Sequence, residues 1–312
     1  MPSQAMKNVI AGLRKARDNR AGQAPRTLAE RRADFAPGGA IYPIPDDVQV
    51  TDMVAGGVQA HWIVAPGVDT GRVLLFVHGG GYDLGSLSSH GELAARLGRA
   101  SGMRVLAVDY RLAPEHPFPA AFDDVLAAWR WLRTDQGLDA ASIAVAGDSA
   151  GGGLILALQV TLRDEGEPLP AAAVVMSPWT DLTASGASMT ERAAEDPIFV
   201  PAAFRLLATQ YLSGAEPTTP LASPLFASLA GLAPLLIQVG SAELLLSDSE
   251  RLAAAAADAG VDVTLQVGDG LPHVYQLMLG TPEAAEATEQ IGNFLQTRVR
   301  SRQEVGVVQR WS

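Results

Sequence analysis

AVAGDSAGGG, residues 144–153, places one hydroxyl group among small residues at the end of an apolar run. A Gly-x-Ser-x-Gly pattern is typical of a strained strand-to-helix turn, where larger neighbours would clash and the serine projects into a cleft. A glycine-rich turn with an incidental serine gives the same letters, because Gly, Ser and Ala are common. The rest of the sequence must therefore decide whether Ser149 is a nucleophile.

Eight short apolar runs divide the chain, and most are continuous, as in strands buried on both faces. They are residues 48–54, 58–64, 73–77, 104–108, 143–147, 172–176, 235–239 and 263–267. The first two flank Ala-Gly-Gly and predict an antiparallel hairpin. Helix-like stretches lie between the later runs, at 90–101, 122–134, 152–164 and 248–260. This alternation predicts an α/β fold with an eight-stranded, mostly parallel sheet and helices on both faces.

The longest insertion, residues 180–231, separates the sixth and seventh runs and contains one clear helix, at 201–212. Insertions of this size usually serve a site, and open α/β sheets bind ligands at the carboxyl edge of their strands. We therefore expect a helical cap over that edge, formed by residues 1–45 and 180–231. The catalytic domain would comprise residues 46–179 and 232–312.

Composition excludes several classes of function. The net charge of −11 argues against nucleic-acid binding, and the absence of cysteine excludes disulfides, thiolate metal sites and a cysteine nucleophile. The first twenty residues lack the apolar region of a secretory signal, and no run approaches the length of a membrane span. We therefore expect a cytoplasmic protein that binds neither nucleic acid nor membranes.

Two motifs directly follow predicted strands. HGGGYDLGS, residues 78–86, follows the third strand, and its three glycines leave backbone N–H groups free to bind a negatively charged oxygen. Gly-Asp-Ser-Ala-Gly follows the fifth strand, so Ser149 would stand at the start of a helix. There the N–H of Ala150 would be a further oxyanion donor.

A serine nucleophile needs a base, and imidazole is the natural one at neutral pH. Of five histidines, His273 lies in GDGLPHVYQL, just after the eighth strand and on the same sheet edge as Ser149. The others favour structural roles: His61 within a strand, His78 bracing the glycine loop, His90 opening a helix and His116 in a proline-rich turn. His273 is therefore the predicted base.

Two carboxylates after the seventh strand compete as the partner of that base. Glu243 lies immediately beyond the strand, among leucines, whereas Asp248 resembles the N-cap of the next helix. We therefore prefer Glu243, with Asp248 as the alternative. The order Ser149, Glu243, His273 is the order found in α/β-hydrolases.

The chain resembles the hormone-sensitive-lipase-like branch of α/β-hydrolase esterases, mostly bacterial carboxylesterases. The matching motifs are HGGG at 78–81, DYRLAPEHPFPA at 109–120, GDSAGG at 147–152, SPWTDL at 177–182 and the histidine loop near 273. The resemblance, which spans about residues 45–297, implies an oxyanion hole formed by the N–H groups of Gly80, Gly81 and Ala150. It also implies a cap from the N-terminal segment and region 180–215, and a possible homodimer. The family usually has aspartate where this chain has Glu243, so Asp248 remains an alternative.

The predicted function is serine carboxylesterase activity on small uncharged esters, with short acyl chains preferred and with neither metal nor cofactor. The predicted pocket residues are apolar or aromatic: Tyr82, Trp179, Phe199, Phe204, Tyr211, Val274 and Met278. Lactone hydrolysis would use the same triad, while a non-catalytic small-ligand-binding protein and a peptidase are alternatives of other kinds. Asp109 and Arg111 are expected to form an ion pair or a loop brace, and Asp148 to order neighbouring loops.

Overall fold

The computed structural model describes residues 1–20, 22–24, 26–35 and 42–301. One sheet runs through it, with the strand order β1-β2-β4-β3-β5-β6-β7-β8. The strands are β1 Gln49–Ala55, β2 Val58–Val64, β3 Asp69–Val77, β4 Met103–Val108, β5 Ile143–Asp148, β6 Ala172–Met176, β7 Leu235–Gly240 and β8 Val263–Gly268. β2 pairs antiparallel with β1 and β4, and the remaining pairs are parallel. The predicted α/β fold, its eight strands and its hairpin are confirmed.

Helices connect the parallel strands, and further helices precede β1 and follow β8 in the chain. They are α1 Gln4–Arg20, α2 Leu28–Phe35, α3 Leu87–Ser101, α4 Ala120–Thr134, α5 Ala150–Asp164, α6 Ser188–Glu191, α7 Pro201–Leu212, α8 Leu246–Asp258 and α9 Pro282–Gln296. Helix α7 has the predicted bounds. Helix α8 begins two residues before Asp248, so the prediction that Asp248 is an N-cap is wrong.

Strand β3 shows why continuous apolar runs form this sheet. Val73, Leu75 and Val77 pack into one core cluster, and Leu74 and Phe76 pack into a second cluster on the other face. The first cluster also holds Trp129 of α4 and Ile155 of α5, and the second holds Leu93 of α3 and Ile291 of α9. Because each such side chain contributes about 1.5–3 kcal/mol when fully buried, polar alternation along β3 would destabilise the sheet.

All eight strands lie in residues 46–179 and 232–312, and the described part of 180–231 contains α6, α7 and a short 3₁₀ turn, Pro224–Phe226. The boundaries of the predicted cap remain a prediction. Residues 21, 25 and 36–41 of its first segment, and 302–312 of the predicted catalytic domain, lie outside the described residues. No helix in the described ranges is both long enough and apolar enough to cross a membrane.

The two N-terminal helices contact loops at the carboxyl edge of the sheet. Met6 of α1 is fully buried against Leu271 and Tyr275, which flank His273 in sequence. In α2, Arg31 forms an ion pair of 2.6 Å with buried Asp83, in the glycine loop after β3. The N-terminal segment is therefore attached to the loops after β8 and β3.

Candidate active site

Ser149 forms the sharp turn between β5 and α5. Its φ of 50° and ψ of −118° lie in a region that costs a non-glycine residue about 1–3 kcal/mol. Backbone hydrogen bonds hold this conformation: the Ser149 N–H donates to the Met176 carbonyl at 2.8 Å, and the Trp179 N–H donates to the Ser149 carbonyl at 2.9 Å. The predicted strand-to-helix turn is therefore present, and β6 and the loop that follows it stabilise its strain.

Close approach of the backbone explains the small residues around Ser149. A Cβ atom on Gly151 would lie 2.1 Å from the Val77 carbonyl oxygen, and one on Gly147 would lie 2.6 Å from the Gly151 carbonyl carbon. Helix α5 therefore packs directly against the end of β3, which brings the glycine loop and Ser149 to the same edge of the sheet.

The glycine loop after β3 leaves specific N–H groups free. The Gly79 N–H donates to Asp148 Oδ1 at 3.0 Å, so Asp148 orders this loop as expected. Gly80 and Gly81 both have positive φ, 113° and 63°. Within the described part of the chain, no oxygen accepts a hydrogen bond from the N–H of Gly80, Gly81 or Ala150. These three donors could bind an oxyanion, and Ala150 adds the positive end of the α5 dipole.

His78 braces the glycine loop, as predicted. Its Nδ1 lies 2.8 Å from the Gly79 carbonyl oxygen, and its ring stacks on Tyr110 with 4.3 Å between centroids. Burial and, next, the charge of the neighbouring His90 lower the pKa of His78 to about 4, so the ring is neutral at pH 7. The ring of His78 therefore adds no charge of its own next to the free N–H groups of the glycine loop.

Glu243 and His273 are brought together after β7 and β8. His273 Nδ1 lies 3.4 Å from Glu243 Oε1, and both side chains are buried. Burial lowers the pKa of His273, but the charge and hydrogen bond of Glu243 together with the charges of Asp196 and Asp148 outweigh it, so the pKa is raised. A carboxylate that accepts from Nδ1 leaves Nε2 as the nitrogen able to take a proton.

Ser177 is a site residue that sequence reasoning missed. Its hydroxyl donates to Glu243 Oε2 at 2.8 Å and accepts from the Val274 N–H at 3.0 Å. It therefore links Glu243 directly to the residue after His273. The sequence did indicate a position near the site, because Ser177 is the first residue of SPWTDL and directly follows β6. Strand β6 lies between β5, which precedes Ser149, and β7, which precedes Glu243.

Asp248 has a different role from the one expected. Its Oδ2 accepts from the N–H groups of Thr180 and Asp181, each at 2.9 Å, and it forms no hydrogen bond with His273. Burial raises the pKa of Asp248 to about 7, although the two backbone donors oppose this shift. Asp248 therefore fixes the start of segment 180–231.

Of the two roles expected for Asp109 and Arg111, the ion pair between them is wrong and the loop brace is confirmed. Arg111 pairs with Asp124 of α4, with 2.7 Å between Nη2 and Oδ1. Asp109 instead accepts from the Leu87 N–H at 2.9 Å and lies 3.2 Å from His61 Nε2. Both side chains therefore brace loops, but with separate partners, Asp124 for Arg111 and the Leu87 N–H for Asp109.

The predicted aromatic pocket residues form a continuous row that ends at His273. Neighbouring ring centroids are 3.7 Å apart for Tyr211–Tyr82, 5.6 Å for Tyr82–Trp179, 5.1 Å for Trp179–Phe204, 5.2 Å for Phe204–Phe199 and 5.2 Å for Phe199–His273. Val274 is buried beside His273 in sequence. Met278 packs instead with the cluster around Met6 of α1, so its assignment to this pocket is wrong.

No group of three or more His, Asp or Glu side chains in the described ranges is arranged to hold a metal ion. The free backbone donors, the strained serine and the Glu243–His273 pair together suit acyl transfer, in which a tetrahedral oxyanion must be stabilised.

Comparisons with known proteins agree with this chemistry. Residues 74–277 match a family described as having the alpha/beta hydrolase fold. An acetyl-hydrolase of Streptomyces hygroscopicus is 47% identical over 276 residues, covering 88% of this chain and 89% of that protein. An esterase from the bacterial hormone-sensitive lipase family has a similar structure, with a TM-score of 0.91 and 44% identity over 96% of this chain and 100% of that one. EstE5, in a crystal soaked with p-nitrophenyl butyrate, has a TM-score of 0.88 and 40% identity over 95% and 99% of the two chains.

Proposed function

Because this chain belongs to the hormone-sensitive-lipase-like esterases of the α/β-hydrolase family, we propose that it cleaves small uncharged esters through an acyl-enzyme on Ser149. The family and fold expected from the sequence are confirmed, and the chain is a carboxylic ester hydrolase. The proposal concerns the mechanism and the substrate. One observation carries it: the strained turn presents Ser149 at the sheet edge where Glu243 and His273 meet.

The reaction has two halves. Ser149 Oγ attacks the ester carbonyl carbon while His273 takes the hydroxyl proton, and Glu243 stabilises the resulting imidazolium. The N–H groups of Gly80, Gly81 and Ala150 bind the tetrahedral oxyanion. His273 then protonates the leaving alkoxide, and the alcohol departs. Water, deprotonated by His273, attacks the acyl-enzyme, which releases the acid and restores Ser149.

A preference for short acyl chains is supported by the row of aromatic rings that ends at His273. Four of its rings are almost completely buried, which leaves little room for a long chain without rearrangement: Tyr82, Trp179, Phe204 and Tyr211. One relative is named for acetyl hydrolysis, and EstE5 was soaked with a butyrate ester. Apolar and aromatic surroundings favour an uncharged substrate.

The N-terminal helices and segment 180–231 are proposed to form the cap. Arg32 of α2 donates to the Asp83 carbonyl at 2.9 Å, so α2 holds the glycine loop from outside the sheet. A Cβ atom on Gly81 would lie 2.7 Å from Leu207 Cδ1 of α7, so α7 covers the same loop. Both cap segments thus contact the loop that carries the proposed oxyanion donors.

The test is hydrolysis of a series of p-nitrophenyl esters, from acetate to palmitate, by the full chain and by Ser149→Ala. We expect acetate and butyrate to be cleaved fastest, and the variant to lose at least about 1,000-fold in kcat. A folded wild-type protein that cleaves none of these esters would overturn the proposal and favour a lactone substrate or ligand binding without catalysis.

A further inference from the structure

Asp196 is a fully buried carboxylate in the segment between β6 and β7, and it accepts three backbone hydrogen bonds. Its Oδ1 accepts from the N–H groups of Ile198 and Phe199, each at 2.8 Å. Its Oδ2 accepts from the Leu244 N–H at 2.9 Å. The side chain thus joins two segments that are far apart in sequence, and three N–H donors around one buried group suit an ionised carboxylate.

Each of these donors lies next to a residue of the proposed active site. Leu244 directly follows Glu243, the partner of His273. The Phe199 ring meets the His273 ring edge-on, with 5.2 Å between centroids. A shift of Asp196 would therefore move the loop of the acid and the aromatic wall beside the base at the same time.

The main chain of Asp196 is attached to the N-terminal helix. Its carbonyl oxygen accepts a hydrogen bond from the Arg17 guanidinium of α1, and the neighbouring Glu195 carbonyl accepts from Arg14 Nη2 at 3.3 Å. At its other end, α1 packs through Met6 against Leu271 and Tyr275. Helix α1 therefore spans from the loop of His273 to the segment that carries Asp196.

We propose that Asp196 is a positioning residue that sets the Glu243–His273 contact and the place of Phe199, with Arg17 of α1 as its anchor. This inference rests on the proposed serine esterase function. Asp196 acts through its neighbours, since its contacts are with backbone N–H groups. Truncation of α1 would thus loosen the active site without removing any group that touches the substrate.

The primary test compares Asp196→Asn with Glu195→Gln, a matched control that removes one carboxylate charge from the same loop. Glu195 is exposed and pairs with Arg192, with 2.9 Å between Oε2 and Nη1. An asparagine at 196 turns an NH₂ group toward one of the N–H donors, which breaks that contact. We expect kcat to fall about tenfold or more and KM to rise severalfold, because both the acid and the pocket wall move. Glu195→Gln should stay within about twofold of wild type.

The pH profile separates positioning from simple loss of stability. Glu243, Asp196 and Asp148 are the carboxylates whose charges act on His273, and Arg14, Arg17 and Arg192 are the cations around the Asp196 segment. In Asp196→Asn, the acid limb of kcat/KM should shift to lower pH, since a negative charge near His273 is lost. A variant that unfolds at a lower temperature but keeps wild-type kcat, KM and acid limb would overturn the inference.

If Asp196→Asn does not fold, Arg17→Gln tests the same inference, because it removes the anchor of Asp196 on α1. Arg17 is partly exposed on α1, so its replacement should leave the core intact. We expect a loss of several-fold in kcat/KM with p-nitrophenyl butyrate, and wild-type kinetics in this folded variant would overturn the inference. Wild type and Ser149→Ala are assayed alongside. If the wild type is inactive, the proposed function fails; if it is active and Asp196→Asn and Arg17→Gln match it, only the present inference fails.

Discussion

The Ser177 hydroxyl donates a 2.8 Å hydrogen bond to Glu243 Oε2, the oxygen that does not face His273. Because the same hydroxyl accepts from the Val274 N–H at 3.0 Å, it ties the acid to the loop of the base. Ser177 also has a φ of 46°, and its N–H donates to the Gln238 carbonyl at 2.7 Å. Ser177 thus connects the loops that follow three neighbouring strands, β6, β7 and β8.

Ser177→Ala should lower kcat by roughly tenfold while leaving KM nearly unchanged, since Glu243 loses one donor and the Val274 N–H loses its acceptor. Steady-state kinetics with p-nitrophenyl butyrate measure this. Ser213→Ala is a matched control, because Ser213 also has positive φ, 47°, but is exposed at the end of α7. Equal kcat values in wild type and Ser177→Ala would show that this hydroxyl does not support catalysis.

Replacement of the two carboxylates after β7 tests which of them is the acid. Glu243→Gln should lower kcat by about 100-fold to 10,000-fold, because an amide cannot stabilise the imidazolium and favours the wrong tautomer. Asp248→Asn should keep kcat within a few-fold of wild type. Its amide oxygen can still accept from the N–H groups of Thr180 and Asp181, and Asp248 Oδ1 has no hydrogen-bond partner among the described residues. The reverse ranking of the two variants would reassign the acid.

The pH dependence of kcat/KM follows from the raised pKa of His273. In the proposed mechanism the neutral imidazole of His273 is the base, so kcat/KM should rise with pH and level off above the His273 pKa. Its midpoint is expected above the ordinary range of a histidine, because Glu243, with Asp196 and Asp148, outweighs the effect of burial on the His273 pKa. In Glu243→Gln the residual activity should have a lower midpoint, since burial then dominates. An unchanged midpoint would show that another group controls the acid limb.

The strands were predictable from local sequence, and one topological rule was enough to expect the candidate site residues at a common edge of the sheet. Continuous apolar runs marked β3 and β5, and the rule that parallel strands end at a common edge placed Ser149, Glu243 and His273 together. The glycines around Ser149 also indicated a tight turn against a neighbouring strand, because any side chain at Gly151 would collide with β3.

Residues that depend on long-range contacts were not predictable in this way. Ser177 contacts a residue 66 positions away and Asp196 one 48 positions away, through bonds that depend on how β6 and β7 align. The sequence around Asp248 suits an N-cap, whereas helix α8 begins two residues earlier, at Leu246, and the Asp248 carboxylate is buried against the N–H groups of Thr180 and Asp181. Nothing in DYRLAPE indicated that Arg111 would pair with Asp124 instead of Asp109.

Arg31→Gln should destabilise the protein, because it leaves the buried Asp83 carboxylate without its partner. Burial already raises the pKa of Asp83 despite the Arg31 charge, so the unpaired carboxylate should be harder still to ionise. Arg31 is partly exposed, so we expect a loss of about 1–3 kcal/mol in the free energy of unfolding at pH 8. A carboxyl group whose folded pKa is raised contributes stability at low pH that is lost as pH rises, so the loss should shrink toward pH 5.

Urea unfolding at pH 5 and pH 8 measures this effect, and Arg26→Gln is the matched control, because the pair Arg26–Asp34 has 33% and 61% exposed side chains. That control should change stability by less than about 1 kcal/mol at either pH. Asp83 lies two residues after Gly81, so Arg31→Gln should also reduce kcat if α2 holds the glycine loop in place. A variant that is as stable as wild type at pH 8 would mean that water screens the Asp83 charge. Helix α2 would then lie over the loop of the proposed oxyanion donors without stabilising it.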